Sequence, residues 1–146
     1  MLQRLELTDG PSECFTIFGV LDCQLLSAST NANSDRSNFE PMVFDTADEQ
    51  GAPIYHTNVL MCVATEFALV GFGTFTNKVR AEQVRMRLME SGRDVIDLTN
   101  QQIEEFAGNA IELSGRDARI LALSRRAFNS LTDAQRQRIE RSARLV

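Results

Sequence analysis

The 146-residue chain has no tryptophan, a single histidine and few cysteines, and each scarcity limits what the protein can be. Without tryptophan, its core must be built from the nine phenylalanines and the aliphatic residues. The three cysteines, Cys14, Cys23 and Cys62, are odd in number and lack the short spacing of a zinc site, so we expect neither a disulfide framework nor a metal site. Each lies among apolar residues, which indicates a buried free thiol.

Long apolar runs are also missing. The longest apolar region, residues 59–75, is interrupted by Thr65, Glu66 and several glycines, which is typical of paired strands rather than of a membrane span. The N-terminus alternates polar and apolar residues and lacks the basic flank and apolar run of a secretory signal. We therefore predict a cytoplasmic location and no membrane partner.

Charge is unevenly distributed along the chain, whose net charge is −5. Residues 1–75 carry two arginines against ten acidic residues, whereas residues 76–146 carry thirteen basic and ten acidic residues. In the second half, basic and acidic residues alternate along helices without interleaved aromatic residues. This pattern indicates a solvated helix face and predicts no nucleic-acid partner.

Strand pairs alternate with helices along the sequence, which predicts an α/β fold. Residues 15–28 favour one or two strands, residues 29–38 a polar loop and residues 40–45 a short strand. Residues 59–64 and 67–72 then favour a tight hairpin. A helix that Asn77 caps follows, and it is stopped by Ser91 and Gly92.

A similar order of strands and helices is predicted for the second half. The predicted elements are a strand over 94–98, a helix opened by a Thr99–Gln102 capping box and ending at Gly108, strands over 110–113 and 119–123, a helical stretch over 124–129, and a last helix opened by a Thr132–Gln135 capping box that reaches the end of the chain. The tetrapeptide Ser-Gly-Arg-Asp occurs at 91–94 and again at 114–117, each time leading into a strand. Four residues are too few to establish an internal repeat.

Histidine chemistry can come only from His56. It is predicted where a loop meets a buried strand, a position from which side chains often face a cleft, and imidazole serves as an acid or base near neutral pH. The alternative is a structural hydrogen-bonding role.

If the strand begins there, Asn58 shares a face with His56; otherwise Asn58 satisfies a backbone group at a strand edge. Asn109 follows Gly108 after a helix, where either residue can take the left-handed conformation of a helix stop.

Three segments resemble one enzyme superfamily. Residues 51–63 (GAPIYHTNVLMCV) resemble the histidine-bearing segment of the arginine deiminase-related, citrulline-utilising hydrolases. These belong to the guanidino-group-modifying superfamily of amidinotransferases and dimethylarginine hydrolases. Residues 106–113 (FAGNAIEL) resemble the next motif of that family, and residues 127–135 (AFNSLTDAQ) the helix after it. Within one partial domain over 1–146, residues 39–141 match best and residues 1–38 form a degenerate N-terminal part.

The resemblance implies a partial pentein-type α/β propeller, of which this chain would supply about two of the five ββαβ units. It also implies a cysteine thiolate that attacks a guanidino or ureido carbon, while a histidine protonates the leaving amine and later activates water. His56 matches the catalytic histidine, Asn58 a substrate-binding position that is often aspartate, and Asn109 the Gly-Asn motif near the site. The implied partner is a guanidino or ureido amino acid, and no metal or organic cofactor is implied.

The chain departs from this family at both ends. It stops at Val146, before the glycine-rich segment that carries the nucleophile, and Ser29 stands where relatives usually have an arginine for the substrate carboxylate. We therefore expect a truncated or degenerate member that is inactive alone and whose exposed sheet edges favour self-association. The alternatives are a hydrolase completed by strands of another chain and a non-catalytic propeller-type binding or scaffolding module.

Overall fold

The N-terminal part of the fold is a two-stranded antiparallel sheet. The computed structural model describes residues 3–8 and 39–146, and side chains from residue 42 onward. Strand β1 (Gln3–Thr8) pairs with β2 (Phe39–Phe44) over six residue pairs. The strand predicted over 40–45 is thus confirmed as β2. The strands predicted over 15–28, the loop over 29–38 and Ser29 lie outside the described residues.

A helical turn replaces the beginning of the strand predicted over residues 59–64. Residues Thr57–Leu60 form α1, and the strand begins only at Met61. The condition under which strand geometry would place His56 and Asn58 on one face, a strand that begins at these residues, is therefore not met. The reason is that a short, continuously apolar run has the same composition in a buried strand and in a buried helical turn, so periodicity cannot distinguish them.

The first three-stranded unit follows α1. Strand β3 (Met61–Val63) forms the predicted hairpin with β4 (Phe67–Val70), and β5 (Asp94–Asp97) pairs parallel to β4. Helix α2 (Lys78–Glu90) connects β4 to β5. Its predicted cap is confirmed, because the Asn77 side chain accepts a hydrogen bond from the Arg80 amide at 3.1 Å. It ends at Ser91, and Gly92 follows with φ +84°.

The second unit has the same strand topology. Strand β6 (Ile111–Ser114) pairs antiparallel with β7 (Arg119–Ala122), and β8 (Ala143–Leu145) pairs parallel to β7. Two helices, α4 (Arg125–Ser130) and α5 (Asp133–Ile139), connect β7 to β8, and α3 (Asn100–Glu104) joins the two units. The prediction that the last helix reaches the chain end is wrong, because the final residues pair with a strand formed about twenty residues earlier.

The repeated tetrapeptide does not mark this repeat of topology. Residues 91–94 lie between α2 and β5, whereas residues 114–117 lie in the turn between β6 and β7. The two copies therefore occupy different points of their units.

The core is apolar and centred on the first unit. The largest fully buried side chains come from both units, and they include Phe67, Leu69, Ile96, Leu121 and Ile139. The α/β class is confirmed, whereas a propeller arrangement of the units stays a prediction. Among the residues that the structure describes, no helix has the length and apolar character needed to cross a membrane.

Candidate active site

His56 is held at the start of α1 by the backbone rather than by its side chain. The Val59 amide donates to the His56 carbonyl at 3.0 Å, and the His56 side chain makes no capping hydrogen bond. Immediately before it, residues 46–54 are tied together by the Ile54 amide, which donates to the Thr46 carbonyl at 3.1 Å. His56 is exposed while Thr57 next to it is buried. An imidazole on a fixed backbone with an exposed ring can exchange protons with a bound molecule.

Asn58 and Asn109 meet although 51 residues separate them in sequence. The Asn58 Nδ2 group donates to Asn109 Oδ1 at 3.4 Å, and both residues are exposed. Asn58 lies in α1, just before β3, and Asn109 lies just before β6, so each precedes the first strand of its unit. The predicted residues His56, Asn58 and Asn109 thus lie on the α1 turn and on the loop that contacts it.

The left-handed residue of the α3 stop is neither Gly108 nor Asn109. Phe106 adopts the left-handed conformation instead, with φ +63°. The expectation that Gly108 or Asn109 adopts it is therefore wrong. Gly108 serves a different need, because a Cβ there would lie 2.6 Å from the Val59 carbonyl oxygen. Nothing in the sequence pattern distinguishes a glycine needed for positive φ from one needed for close backbone approach, so this role could not be predicted.

Cys62 has the character of a structural thiol. Its side chain is 3% exposed in the middle of β3. Burial and, to a smaller extent, the nearby Glu112 carboxylate together raise the pKa of the Cys62 thiol to about 12. The prediction of a buried free thiol is confirmed for Cys62, while Cys14 and Cys23 lie outside the described residues. Because only the thiolate is nucleophilic, Cys62 cannot supply the attacking sulfur near neutral pH.

Glu112 connects the two units and was not singled out by sequence. One of its carboxylate oxygens accepts from the Thr65 amide at 2.9 Å and from the Thr65 hydroxyl at 2.5 Å, while the other is buried and has no hydrogen-bond partner among the described residues. The Glu112 carboxylate also acts on Arg93. Burial lowers the pKa of the Arg93 guanidinium, and the negative charge of Glu112 opposes that shift. The motif over residues 106–113 contains Glu112 but does not indicate this role, which depends on a turn 47 residues away.

A cleft lies at the starts of β4, β5 and β7, away from the His56, Asn58 and Asn109 site. This cleft has a volume of about 540 Å³ and is lined by Glu66, Phe67, Asp94, Arg119, Arg138, Arg141 and Ser142. Arg138 makes two side-chain hydrogen bonds to Asp94, and Arg119 pairs with Glu66 at 3.4 Å. The hydrogen bonds from Arg138 hold the pKa of Asp94 below its usual range. These groups neutralise one another, as expected for the solvated charges of the second half.

Metal-ligating side chains do not cluster in the described part of the chain. Within residues 3–8 and 39–146, no group of three or more histidine, cysteine or carboxylate side chains is placed to hold a metal ion.

Comparison with known proteins identifies the class. The model of the family N,N dimethylarginine dimethylhydrolase, eukaryotic, matches residues 26–146, which contain His56, Asn58 and Asn109. This match confirms the predicted superfamily, that of the amidinotransferases or penteins, whose members modify guanidino groups. Within it, the chain belongs to the dimethylarginine dimethylhydrolase family. No curated protein and no solved structure matched the chain.

Proposed function

We propose that the chain is a degenerate member of this family that keeps the histidine and the substrate-contacting amides of a hydrolase but is inactive alone. The observation that carries the proposal is the meeting of Asn58 and Asn109 beside the α1 turn that begins at His56. Inactivity is supported by the matched region itself, because Cys62 is its only cysteine and is buried as a neutral thiol. The two ββαβ units, in turn, support two blades of a pentein-type propeller.

The chemistry of the complete site would divide into two steps. A thiolate attacks the guanidino or ureido carbon, the carbon–nitrogen bond breaks, and the imidazolium of His56 gives its proton to the leaving amine. The neutral imidazole then takes a proton from water, whose oxygen attacks the covalent intermediate and releases the thiolate. His56 can serve both steps because its ring is exposed. The thiolate would come from outside residues 26–146.

The amide pair supports a neutral ureido group over a guanidinium cation. One hydrogen bond between two amides uses one N–H and one carbonyl, so Asn58 keeps a free acceptor and Asn109 keeps free donors. Turning both amides together exchanges these roles, and the pair still presents a free acceptor and free donors. A ureido group offers both an acceptor and donors, whereas a guanidinium offers donors only. We therefore favour a citrulline-like ligand.

Asn58→Asp is expected to reverse this preference. A carboxylate at position 58 adds a charge-assisted partner for a cation, so binding of Nω,Nω-dimethylarginine relative to citrulline should rise about tenfold. The measurement is a nuclear magnetic resonance titration that follows the signals of His56, Asn58 and Asn109. Asn129→Asp, at an exposed position in α4, is the charge-matched control.

The same titration separates the alternatives. Citrulline binding to the unmodified chain without turnover supports the proposal, and release of ammonia or dimethylamine by the chain alone would contradict its inactivity. A chain that binds neither amino acid but remains a stable monomer would instead support the binding or scaffolding module.

We also propose that the chain associates with itself through an exposed apolar face of the second unit. Ile111 and Leu113 alternate along β6 and are 59% and 47% exposed, so one sheet face is apolar, and Val146 beyond β8 is also exposed. We expect sedimentation velocity to show a concentration-dependent increase in mass for the unmodified chain and a monomer for Leu113→Glu. Met89→Glu, at a similarly exposed position on α2, should behave as the unmodified chain. A monomer at every concentration would refute self-association.

A further inference from the structure

The turn between α3 and β6 combines a left-handed phenylalanine with an obligatory glycine. Phe106 is the only non-glycine residue with positive φ among the described residues. Two residues later, a Cβ on Gly108 would lie 2.6 Å from the carbonyl carbon of Leu60, 2.6 Å from the oxygen of Val59 and 2.9 Å from the nitrogen of Met61. All three are backbone atoms, which cannot move aside as the end of a side chain can, so only glycine fits at position 108.

Backbone hydrogen bonds make this turn a Schellman-type helix stop. The Phe106 amide donates to the Ile103 carbonyl and the Ala107 amide donates to the Gln102 carbonyl, each at 2.9 Å. The residue in the left-handed position of this motif is ordinarily glycine. In this chain Phe106 occupies the left-handed position. The glycine, Gly108, follows two residues later, where the backbone contacts α1. The Asn109 amide then donates to the Phe106 carbonyl at 2.9 Å, which joins the turn to the site residue.

Side-chain contacts hold Phe106 in this conformation from the other side. The Arg126 guanidinium lies over the Phe106 ring at 5.5 Å from its centroid. Arg126 is itself oriented by two hydrogen bonds to the Glu105 carboxylate, at 2.8 and 3.1 Å. Ala107, between the two special residues, is fully buried. The turn is therefore fixed to α4 as well as to α1.

We propose that Gly108 and Phe106 are positioning residues that hold the Asn109 amide against Asn58. Gly108 rests on the backbone of residues 59–61, which continues directly from Asn58, so the distance between the two amides is set by this backbone contact. Phe106 supplies the change of chain direction that brings Gly108 onto α1. The consequence for ligand binding rests on the proposed function, whereas the consequence for the amide contact does not.

Gly108→Ala tests the proposal in the isolated chain. The nuclear Overhauser cross-peak between the side-chain amide protons of Asn58 and the side chain of Asn109 should disappear, and citrulline affinity should fall about tenfold. Gly92→Ala is the control, because an added Cβ at Gly92 would meet nothing within 4 Å, although Gly92, unlike Gly108, has positive φ. It should lower thermal stability while leaving the cross-peak and the affinity unchanged.

Substitutions of Phe106 keep the test decisive if Gly108→Ala fails to fold. Glycine adopts positive φ freely, so Phe106→Gly should retain the cross-peak, whereas β-branched Phe106→Val should lose it. Retention of the cross-peak in both Gly108→Ala and Phe106→Val would overturn the positioning role. If the unmodified chain shows the cross-peak but binds no citrulline, the proposed function fails and the positioning role stands.

Discussion

Replacing Gln102 by alanine is expected to lower the free energy of unfolding by about 3 kcal/mol, which is a large part of the stability of a domain of this size. Gln102 is 6% exposed although it is polar, so its amide must be fully paired. Its Nε2 donates to the Ser130 carbonyl at 2.8 Å and to Gln135 Oε1 at 2.7 Å, and its Oε1 accepts from the Thr99 amide at 3.0 Å. Alanine would remove all three hydrogen bonds, and the partly buried Ser130 carbonyl and Gln135 amide would lose these partners.

The partner Gln135 makes the same kind of contacts from the other helix. Its Nε2 donates to the Asp97 carbonyl at 2.9 Å and to Gln102 Oε1 at 3.2 Å, and its Oε1 accepts from the Thr132 amide at 2.9 Å. Each glutamine occupies the N3 position of its capping box, so one amide both completes a helix start and joins that helix to the other. The helix starts and the contact between α3 and α5 are therefore coupled.

A double-mutant cycle measures this coupling. Urea unfolding of Gln102→Ala, Gln135→Ala and the double variant should give an interaction energy of at least about 1 kcal/mol. Gln101→Ala is the control, since Gln101 lies in the same helix but is exposed, and its effect should stay within about 0.5 kcal/mol. Additive single effects would show that the two capping boxes act independently.

Cys62 is expected to be about a thousandfold less reactive toward iodoacetamide at pH 8 than an exposed cysteine. Its pKa of about 12, against 9.0 for an ordinary thiol, leaves correspondingly less thiolate, and burial adds a steric barrier. Peptide mapping by mass spectrometry after alkylation separates Cys62 from Cys14 and Cys23. Rapid alkylation of Cys62 in the folded chain would contradict its assignment as a buried thiol and would reopen its candidacy as a nucleophile.

The same pKa shift predicts a loss of stability at alkaline pH. Between about pH 9 and pH 12 the unfolded chain releases the Cys62 proton while the folded chain retains it. The folded state then binds more protons, so the free energy of unfolding is undiminished below pH 9 and decreases as pH rises, by about 2 kcal/mol at pH 10.5. Cys62→Ala should lack this component, so the difference between the two pH profiles isolates it. Parallel profiles would contradict the shift.

Local signals predicted the elements whose hydrogen bonds are made within a few residues. The Asn77 cap, the stop at Ser91 and Gly92, and the capping boxes at Thr99 and Thr132 all form as expected, because each closes bonds over three or four positions. The hairpins of β3 with β4 and of β6 with β7 were predicted for the same reason: apolar runs flanked by turn residues pair with their neighbours in sequence.

Elements that depend on distant partners were not predictable in this way. Residues 57–60 turn into α1 rather than extending β3, and residues 143–145 join β7 rather than extending α5. In both places the local sequence, Thr-Asn-Val-Leu and Ala-Arg-Leu, suits helix and strand alike, and tertiary packing selects between them. The left-handed conformation of Phe106 is a similar case, since tertiary contacts offset its intrinsic strain.

The sequence by itself determined the α/β class, most of the short elements, the single histidine and the motifs that indicate the superfamily, because these depend on composition and on spacings of a few residues. Only the tertiary structure decided that Asn58 meets Asn109, that Gln102 meets Gln135 and that Cys62 is buried beside Glu112. The physical reason is that each of these contacts joins groups 33 to 51 residues apart, and such distances close only when the two ββαβ units pack together.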